Sequence, residues 1–390
     1  MVEFDPDPLR HVVFHSPAET GIYLGSPSVV RAPDGALVVS HDFFGPGSPR
    51  DKYGRASSGA VYRSEDEGKS WTRCAGLDRM FWCGLFVHRG ALYLFGTSAE
   101  YGDIVIRRST DGGRTWTSPD DDRTGLLFPG GPGQEPPNYH CAPVPVLMHR
   151  GRLWRAFEDC DPCVWGPGFR SFVLSAPEDA DLLRSDSWLM TCKVAYDQES
   201  DPPEFAHDAG GGPVPPGAGW LEGNVVADRD GQLWNILRCH SYPAANRAVM
   251  LRVAPDGRGL SLDPATGFIE FPGGMSKFTI RYDPVSDRYW TISNHVTIPE
   301  NPFQRNVLGL HSSADLRRWR LERTLLADPE DFPRLEWRSK TGFQYVDWQF
   351  EGEDIFLVSR TAYRGAHNFH DANYVTFHWL RGFRSSGATV

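Results

Sequence analysis

One stretch, Ser109-Thr110-Asp111-Gly112-Gly113-Arg114-Thr115-Trp116, restricts what this chain can fold into more than any other. It has the form S-x-D-x-G-x-x-W, and each fixed residue has a turn-building task. Short Ser and Asp side chains hydrogen-bond turn backbone, Gly supplies a positive φ, and Trp packs beneath the turn. A second copy is Ser64-Glu65-Asp66-Glu67-Gly68-Lys69-Ser70-Trp71. A shortened third, Ser313-Ala314-Asp315-Leu316-Arg317-Arg318-Trp319, lies far downstream. Strand-like residues precede each copy: 58–63, 103–108 and 306–311. The turn is therefore expected to join the outer two strands of a four-stranded sheet, and its recurrence signals a repeat architecture.

Inner hairpins follow from a different pattern, an apolar strand, a D-G or R-G turn and a second apolar strand. Six stand out: Ser26–His41, Trp82–Gly96, His140–Glu158, Glu222–Arg238, Ser276–Asn294 and Phe343–Arg360. Sheets of two inner and two outer strands cannot cover both of their own faces, so they are expected to close into a ring. The reading is all-β: one β-propeller domain over residues 1–390 with six blades, or seven if the termini build another. The Pro- and Gly-rich gap from Glu158 to Glu222 reads as a long loop near a binding face.

Composition agrees. The 390 residues include 40 Gly, 31 Pro and 13 Trp, which suits short strands and turns. A formal net charge of −10 argues against a nucleic-acid partner, while a local arginine cluster can still bind an acidic sugar. Seven irregularly spaced Cys do not form a disulfide framework. The polar start Val2-Glu3-Phe4-Asp5-Pro6-Asp7-Pro8 lacks the pattern of a secretory leader, and no apolar run is long enough to span a bilayer. A cytoplasmic protein without a membrane partner is expected, unless a leader has been removed.

Polar residues at inner-strand ends are the candidates for a central site: His41 with Asp42, His140, Glu222 with Asn224, Arg238 with His240, Lys277, Asn294 with His295, Gln344 with Tyr345, Arg360, and His370 with Asp371 and Asn373. The S-x-D-x-G-x-x-W turns resemble the Asp boxes of sialidase-like β-propellers. Gly25–Val30 with Ser40–Gly45, Tyr139–Val146, Glu222–Val226 and His370–Tyr374 resemble a sialidase-related group that includes α-L-rhamnosidases and L-rhamnose-α-1,4-D-glucuronate lyases, with ulvan lyases more distant. The likeness runs the full length and implies an acidic oligosaccharide or polysaccharide substrate. Sialidases hold a carboxylate with three arginines, the first just before an apolar-Pro pair in the first blade. Here that place reads Leu24-Gly25-Ser26-Pro27, so the first arginine is missing.

The remaining residues suit β-elimination from a 4-linked uronate, which requires a neutralised carboxylate, a base for the C5 proton and an acid for O4. Arg238 and Arg360 are expected to grip the carboxylate, with Asn224 and Lys277 donating to the developing enolate. His140 or His41 is the expected base, and Tyr345 the acid or second base. For His41 the rhamnosidase likeness also implies a catalytic histidine. Glu222, Gln344 and His370 complete the expected binding set. With Glu222 and Asp347 as the only inward carboxylate candidates, elimination is favoured over hydrolysis, which usually needs a carboxylate pair. The alternatives are a rhamnosidase-type or sialidase-like hydrolase and a non-catalytic glycan-binding propeller.

Cys160-Asp161-Pro162-Cys163 has the spacing of half a zinc site, with Cys239-His240 as the remaining half. Without a second C-x-x-C, buried unpaired thiols are the simpler reading. No metal ligands and no cofactor are assigned, and a divalent Zn or Ca ion stays an open alternative.

Overall fold

A computed structural model describes residues 3–203, 218–241, 244–328 and 340–385. Among these residues the regular structure is β, apart from three short 3-10 turns. Six antiparallel sheets follow one another along the chain. The first blade comprises Tyr23–Arg31, Leu37–Phe44, Ser58–Ser64 and Thr72–Asp78, and the second Phe81–His88, Ala91–Thr97, Ile104–Ser109 and Leu126–Phe128. The third is built on Leu147–His149, Arg152–Cys160 and Phe169–Pro177, edged by Leu189–Met190 and Val194–Ala195. Gly219–Ala227, Leu233–His240 and Arg247–Val253 form the fourth, edged by Leu260–Leu262 and Phe268–Glu270. The fifth holds Ile280–Asp283, Arg288–Asn294, Val307–Ser313 and Trp319–Ala327, and the sixth Gly342–Glu351, Asp354–Ala362 and Tyr374–Arg381.

The N-terminal strands Glu3–Phe4 and Val12–His15 both pair antiparallel with Tyr374–Arg381. The termini thus complete the sixth blade and do not assemble a seventh. This closure joins the two ends of the chain through backbone hydrogen bonds. The segment from Glu158 to Glu222 is not one long loop, because it contains the outer strands of the third blade. Its Gly210–Gly217 stretch lies outside the described residues.

Hydrophobic burial explains why the blades stack. Six apolar clusters each draw side chains from two neighbouring blades. Val30, Val61, Leu85 and Leu94 join the first to the second, and Leu24, Tyr62, Phe356 and Phe377 join the sixth to the first. The others are equivalent at the remaining four interfaces. A blade exposes both faces until its neighbours cover them, so the ring is the smallest arrangement that buries every interface.

The three repeated turns occupy equivalent places, each joining the third and fourth strands of its blade. Ser64 Oγ accepts from Gly68 N at 2.8 Å and bonds Asp66 at 2.8 Å, and Trp71 Nε1 donates to Gly68 O at 3.1 Å. Ser109, Asp111 and Trp116 repeat this, with 2.9 Å from Trp116 Nε1 to Gly113 O. Trp71 packs on Phe377 of the sixth blade, Trp116 joins the cluster between first and second blades, and Trp319 meets Phe271 before the fifth. In the shortened copy Leu316 takes the glycine's place at φ 65°, a conformation that costs a branched residue about 1–2 kcal/mol and is held here by burial.

Candidate active site

Four innermost strands carry the same irregularity at the same end. Their pairing skips between Gly25 and Ser28, Phe81 and Gly84, Leu221 and Asn224, and Gln344 and Asp347. In each, two residues oppose one, which is a β-bulge. The first bulged residue has positive φ every time: Ser26 at 42°, Trp82 at 50°, Glu222 at 58° and Tyr345 at 53°. No glycine relieves the strain, so packing must impose it. All four line one cavity of about 460 Å³ at this end of the ring. The bulge is the device that turns a strand-end side chain toward the axis.

Across this cavity two charged assemblies face one another. Tyr345 donates its hydroxyl to Glu222 Oε1 at 2.6 Å and accepts from Arg238 Nη1 at 3.1 Å. Arg238 Nη1 also reaches Glu222 Oε2 at 2.8 Å, and its Nη2 meets His240 Nε2 at 2.6 Å. A guanidinium only donates, so His240 accepts there and carries its proton on Nδ1. Burial and then Arg238 hold the His240 imidazole far below its usual value, which agrees with a neutral ring. Burial works to raise the Glu222 carboxyl, but Arg238, His140 and the Tyr345 bond outweigh it and keep Glu222 ionised below the usual range. Burial and the Glu222 charge raise the Tyr345 phenol.

Asp42 supplies the opposing carboxyl. Burial pushes it up to about 6, against bonds from the Trp82 amide at 2.7 Å and from Ser26. It lies over Gly25: a Cβ there would meet Asp42 Oδ1 at 2.1 Å. The place of the missing first-blade arginine is therefore filled by this carboxylate. A second guanidinium arrives instead from the sixth blade, since Arg360 sits 5.0 Å over the Tyr345 ring and 4.7 Å over Phe44 and donates to His370 O. Arg305, held by Gln344, lines the same side.

His140 reaches the cavity from the third blade with a buried partner behind it. Its Nδ1 lies 3.1 Å from Glu158 Oε2, and Glu158 is fully buried and accepts from Gly223 N at 3.3 Å. Burial raises the Glu158 carboxyl. The carboxylate fixes the Nδ1 proton and so leaves Nε2 as the acceptor.

Of the residues expected from sequence, His140, Tyr345, Arg238, Arg360, Glu222 and His370 line the cavity. His41, Asn224, Lys277 and Gln344 do not, each for a structural reason, and Asn294, His295, Asp371 and Asn373 also stand outside the lining. His41 is wholly buried between Phe14 and Tyr62, with Nδ1 on Asp42 O, because adjacent residues of a strand point to opposite faces and Asp42 takes the cavity side. Asn224 ties the fourth blade to the fifth through Phe278 O and Ile280 N, both at 3.1 Å. Lys277 Nζ is spent on Thr279 Oγ1 and Val346 O at 2.7 Å, and burial lowers it to about 8. Gln344 bridges Arg305 and Phe369 O.

The carboxylate count changes as well. Asp347 bonds Ser28 Oγ at 2.6 Å and Val29 N at 3.1 Å, stapling the sixth blade to the first. Asp42, Glu100 and Glu222 are the carboxylates of the lining. Arg305 and Glu100 escaped the sequence reading because they sit on connecting loops, where no hairpin pattern marks them. Trp82 and Trp165 were likewise unmarked, although Trp82 begins a hairpin that the sequence does show. Among the described residues no group of three His, Cys, Asp or Glu is placed to hold a metal. Cys160 Sγ instead meets Pro162 O and Val164 O.

The molecule is a six-bladed β-propeller with a strained, arginine-rich axial pocket. Solved structures agree in fold across nearly the whole chain. The Penicillium chrysogenum α-L-arabinanase complexed with arabinobiose has a TM-score of 0.59 at 15% identity, covering 97% of this chain and 98% of its own. The Fusarium graminearum α-L-arabinofuranosidase Arb93A has a TM-score of 0.60 at 12% identity, with 97% and 98% covered. The Trypanosoma rangeli sialidase bound to the inhibitor DANA has a TM-score of 0.56 at 13% identity, covering 95% of this chain and 56% of its own. No helix among the described residues is long and apolar enough to cross a membrane. No protein-family model and no curated protein sequence matches the chain.

Proposed function

We propose that the protein is a glycoside hydrolase that removes a terminal, carboxylate-bearing sugar from a glycan, with Tyr345 as nucleophile. The observation that carries this is the hydroxyl of Tyr345 held 2.6 Å from an ionised, buried Glu222 and 3.1 Å from Arg238. A base takes the phenol proton and a cation steadies the phenolate, which is how a weak nucleophile is activated. A neutral phenol also approaches an anionic sugar without the repulsion that a carboxylate nucleophile would meet, and tyrosine nucleophiles are a known exception to the two-carboxylate rule.

The steps balance with residues of this chain. Tyr345 oxygen bonds the anomeric carbon as its proton passes to Glu222, and Asp42 gives a proton to the departing glycosidic oxygen. Water then attacks the anomeric carbon, losing its proton to Asp42, while Tyr345 leaves and recovers the proton held by Glu222. The raised value of Asp42, about 6, suits a group that must give and take a proton near neutrality. Arg305 and Arg360 hold the substrate carboxylate, and Arg238 serves mainly the Tyr345–Glu222 pair.

A second reading keeps the β-elimination expected from the sequence, a uronate lyase acting on a rhamnose-capped glucuronate. The His140–Glu158 pair favours it, because an oriented imidazole supplies a base for the C5 proton while Tyr345 protonates O4. One experiment separates the two. The protein is incubated with rhamnose-capped glucuronate oligosaccharides and with aryl glycosides of anionic sugars, and both released sugar and ultraviolet absorbance are followed. Sugar release with flat absorbance supports the hydrolase, and rising absorbance from a C4–C5 unsaturated uronate supports the lyase. Stoichiometric binding without product would overturn both in favour of a glycan-binding propeller.

A further inference from the structure

The opposite end of the ring carries a second cavity that the axial site does not use. It has a volume of about 200 Å³ and lies between the third and fourth blades, at the turns joining their two innermost strands. From these turns to the axial pocket is roughly 20 Å, since Arg152 and Glu158 are six residues apart on one strand. The two sites are separate.

Its chemistry is unusual for a chain of net charge −10. Three basic side chains, His149, Arg150 and Arg152, come from one tight turn, with Arg150 itself at φ 49°. Some surface arginines are matched by carboxylates, as Arg229 is by Asp287 at 3.0 Å and Arg31 by Glu67 at 2.8 Å. Arg150 and Arg152 make no such pair among the described residues. Arg152 Nη2 donates to Ser175 Oγ at 2.9 Å and its guanidinium lies 5.7 Å over Trp154. Its Nε is buried with no hydrogen-bond partner, and so is His149 Nε2. Both nitrogens belong to residues that line one cavity and are shut off from solvent, so each costs free energy that an acceptor reaching it would recover.

We infer that this cavity is an accessory site for an oxyanion, held by Arg152 Nε, His149 Nε2 and the Arg150 guanidinium. A planar carboxylate, a sulfate ester or a phosphate ester supplies the acceptor oxygens these donors lack. Asp230 on the same lining favours an anion that carries a neighbouring hydroxyl, which donates to the carboxylate. Trp154, Leu233, Val253 and Pro255 form the apolar floor.

The test is a titration of the full chain with sodium sulfate, sodium phosphate and sodium glucuronate at constant ionic strength. It is read at the Arg152 Nε–H resonance by NMR, which the arginine-rich axial pocket does not influence. The expected result is a saturable shift with at least one anion, and about tenfold weaker binding in Arg150→Gln, one charge-assisted contact being lost. Arg150 is exposed and free of structural bonds, so this variant keeps the fold. An Arg152 signal unmoved by all three anions overturns the site. Equal midpoints in wild type and Arg150→Gln overturn it too.

Discussion

The two halves of the axial pocket are built from the same kind of blade yet do opposite things. Blades four to six contribute Arg238, Arg305 and Arg360 around Tyr345 and Glu222, whereas blades one to three contribute Asp42, Glu100, Arg50, His140 and the aromatic rings of Phe44, Trp82, Tyr101 and Trp165. Three of the four lining arginines stand on one side, and two of the three lining carboxyls on the other, where Arg50 and His140 join them. The contrast shows how one scaffold separates two titrations. On the cationic side Arg238 keeps Glu222 ionised despite burial; on the aromatic side burial outweighs the pull of Arg360 and raises Asp42 to about 6. A base and an acid thus coexist in one cavity because their neighbours differ.

The sharpest way to break this comparison is Tyr345→Phe, which leaves the ring in place and removes the hydroxyl. Turnover of the anionic glycoside is expected to fall by roughly 10³-fold or more, with substrate binding kept. Unchanged kcat would show that the Tyr345–Glu222 pair is structural. Glu222→Gln comes next: Arg238 is left buried without its counter-charge, so unfolding free energy should drop by about 3–5 kcal/mol in denaturant titration, beside the loss of activity. A drop within experimental scatter would mean that His240 and Tyr345 suffice to hold Arg238.

Arg360→Ala should raise KM for the anionic sugar, costing on the order of 2–4 kcal/mol in kcat/KM, while a neutral analogue is affected far less. Equal losses on both would remove Arg360 from the carboxylate grip. Asp42 sharpens the comparison through pH. Its folded value lies above its unfolded one, so the stability it adds is complete below about 3.8 and is lost as pH rises through about 6, about 3 kcal/mol in total. Asp42→Asn should abolish that dependence in pH-resolved unfolding, and activity limited by the protonated acid should fall above about 6 in the wild type only. The smallest effect is expected from Trp165→Ala. With 42% of Trp165 exposed, stability should change by about 0.5 kcal/mol or less, and KM should rise only for substrates long enough to reach the rim. A large fall in Tm would show the ring to be core.

Much of this was legible in the residues alone. The turns at Ser64, Ser109 and Ser313 and the six inner hairpins follow from local chemistry: which side chain bonds its own turn, which residue accepts positive φ, and which alternation suits a strand. Such signals lie within a few residues of each other, so a sequence carries them whole. The list of strand-end polar residues likewise contained Asp42, Glu222, Arg238, Tyr345 and Arg360. What the chain could not reveal was which of two neighbours faces the axis. His41 and Asp42 are equal candidates on paper, and which of the two alternating faces of their strand meets the axis is decided only by the packed ring. Asn224, Lys277 and Asp347 look like site residues for the same reason, and become staples only because an adjoining blade presents carbonyls, amides or a hydroxyl to them.

Repeat, hairpin and turn were thus determined by the sequence itself, because each depends on contacts between near neighbours along the chain. Pairings across blades belonged to the tertiary structure. Tyr345 meets Glu222 across 123 residues, Ser28 meets Asp347 across 319, and Arg305 enters from a loop with no pattern of its own. Ring closure brings these groups together, and burial within the closed ring then sets which carboxyl is charged. Both are properties of the assembled propeller, since the dielectric and the partners around a side chain exist only after the blades have packed.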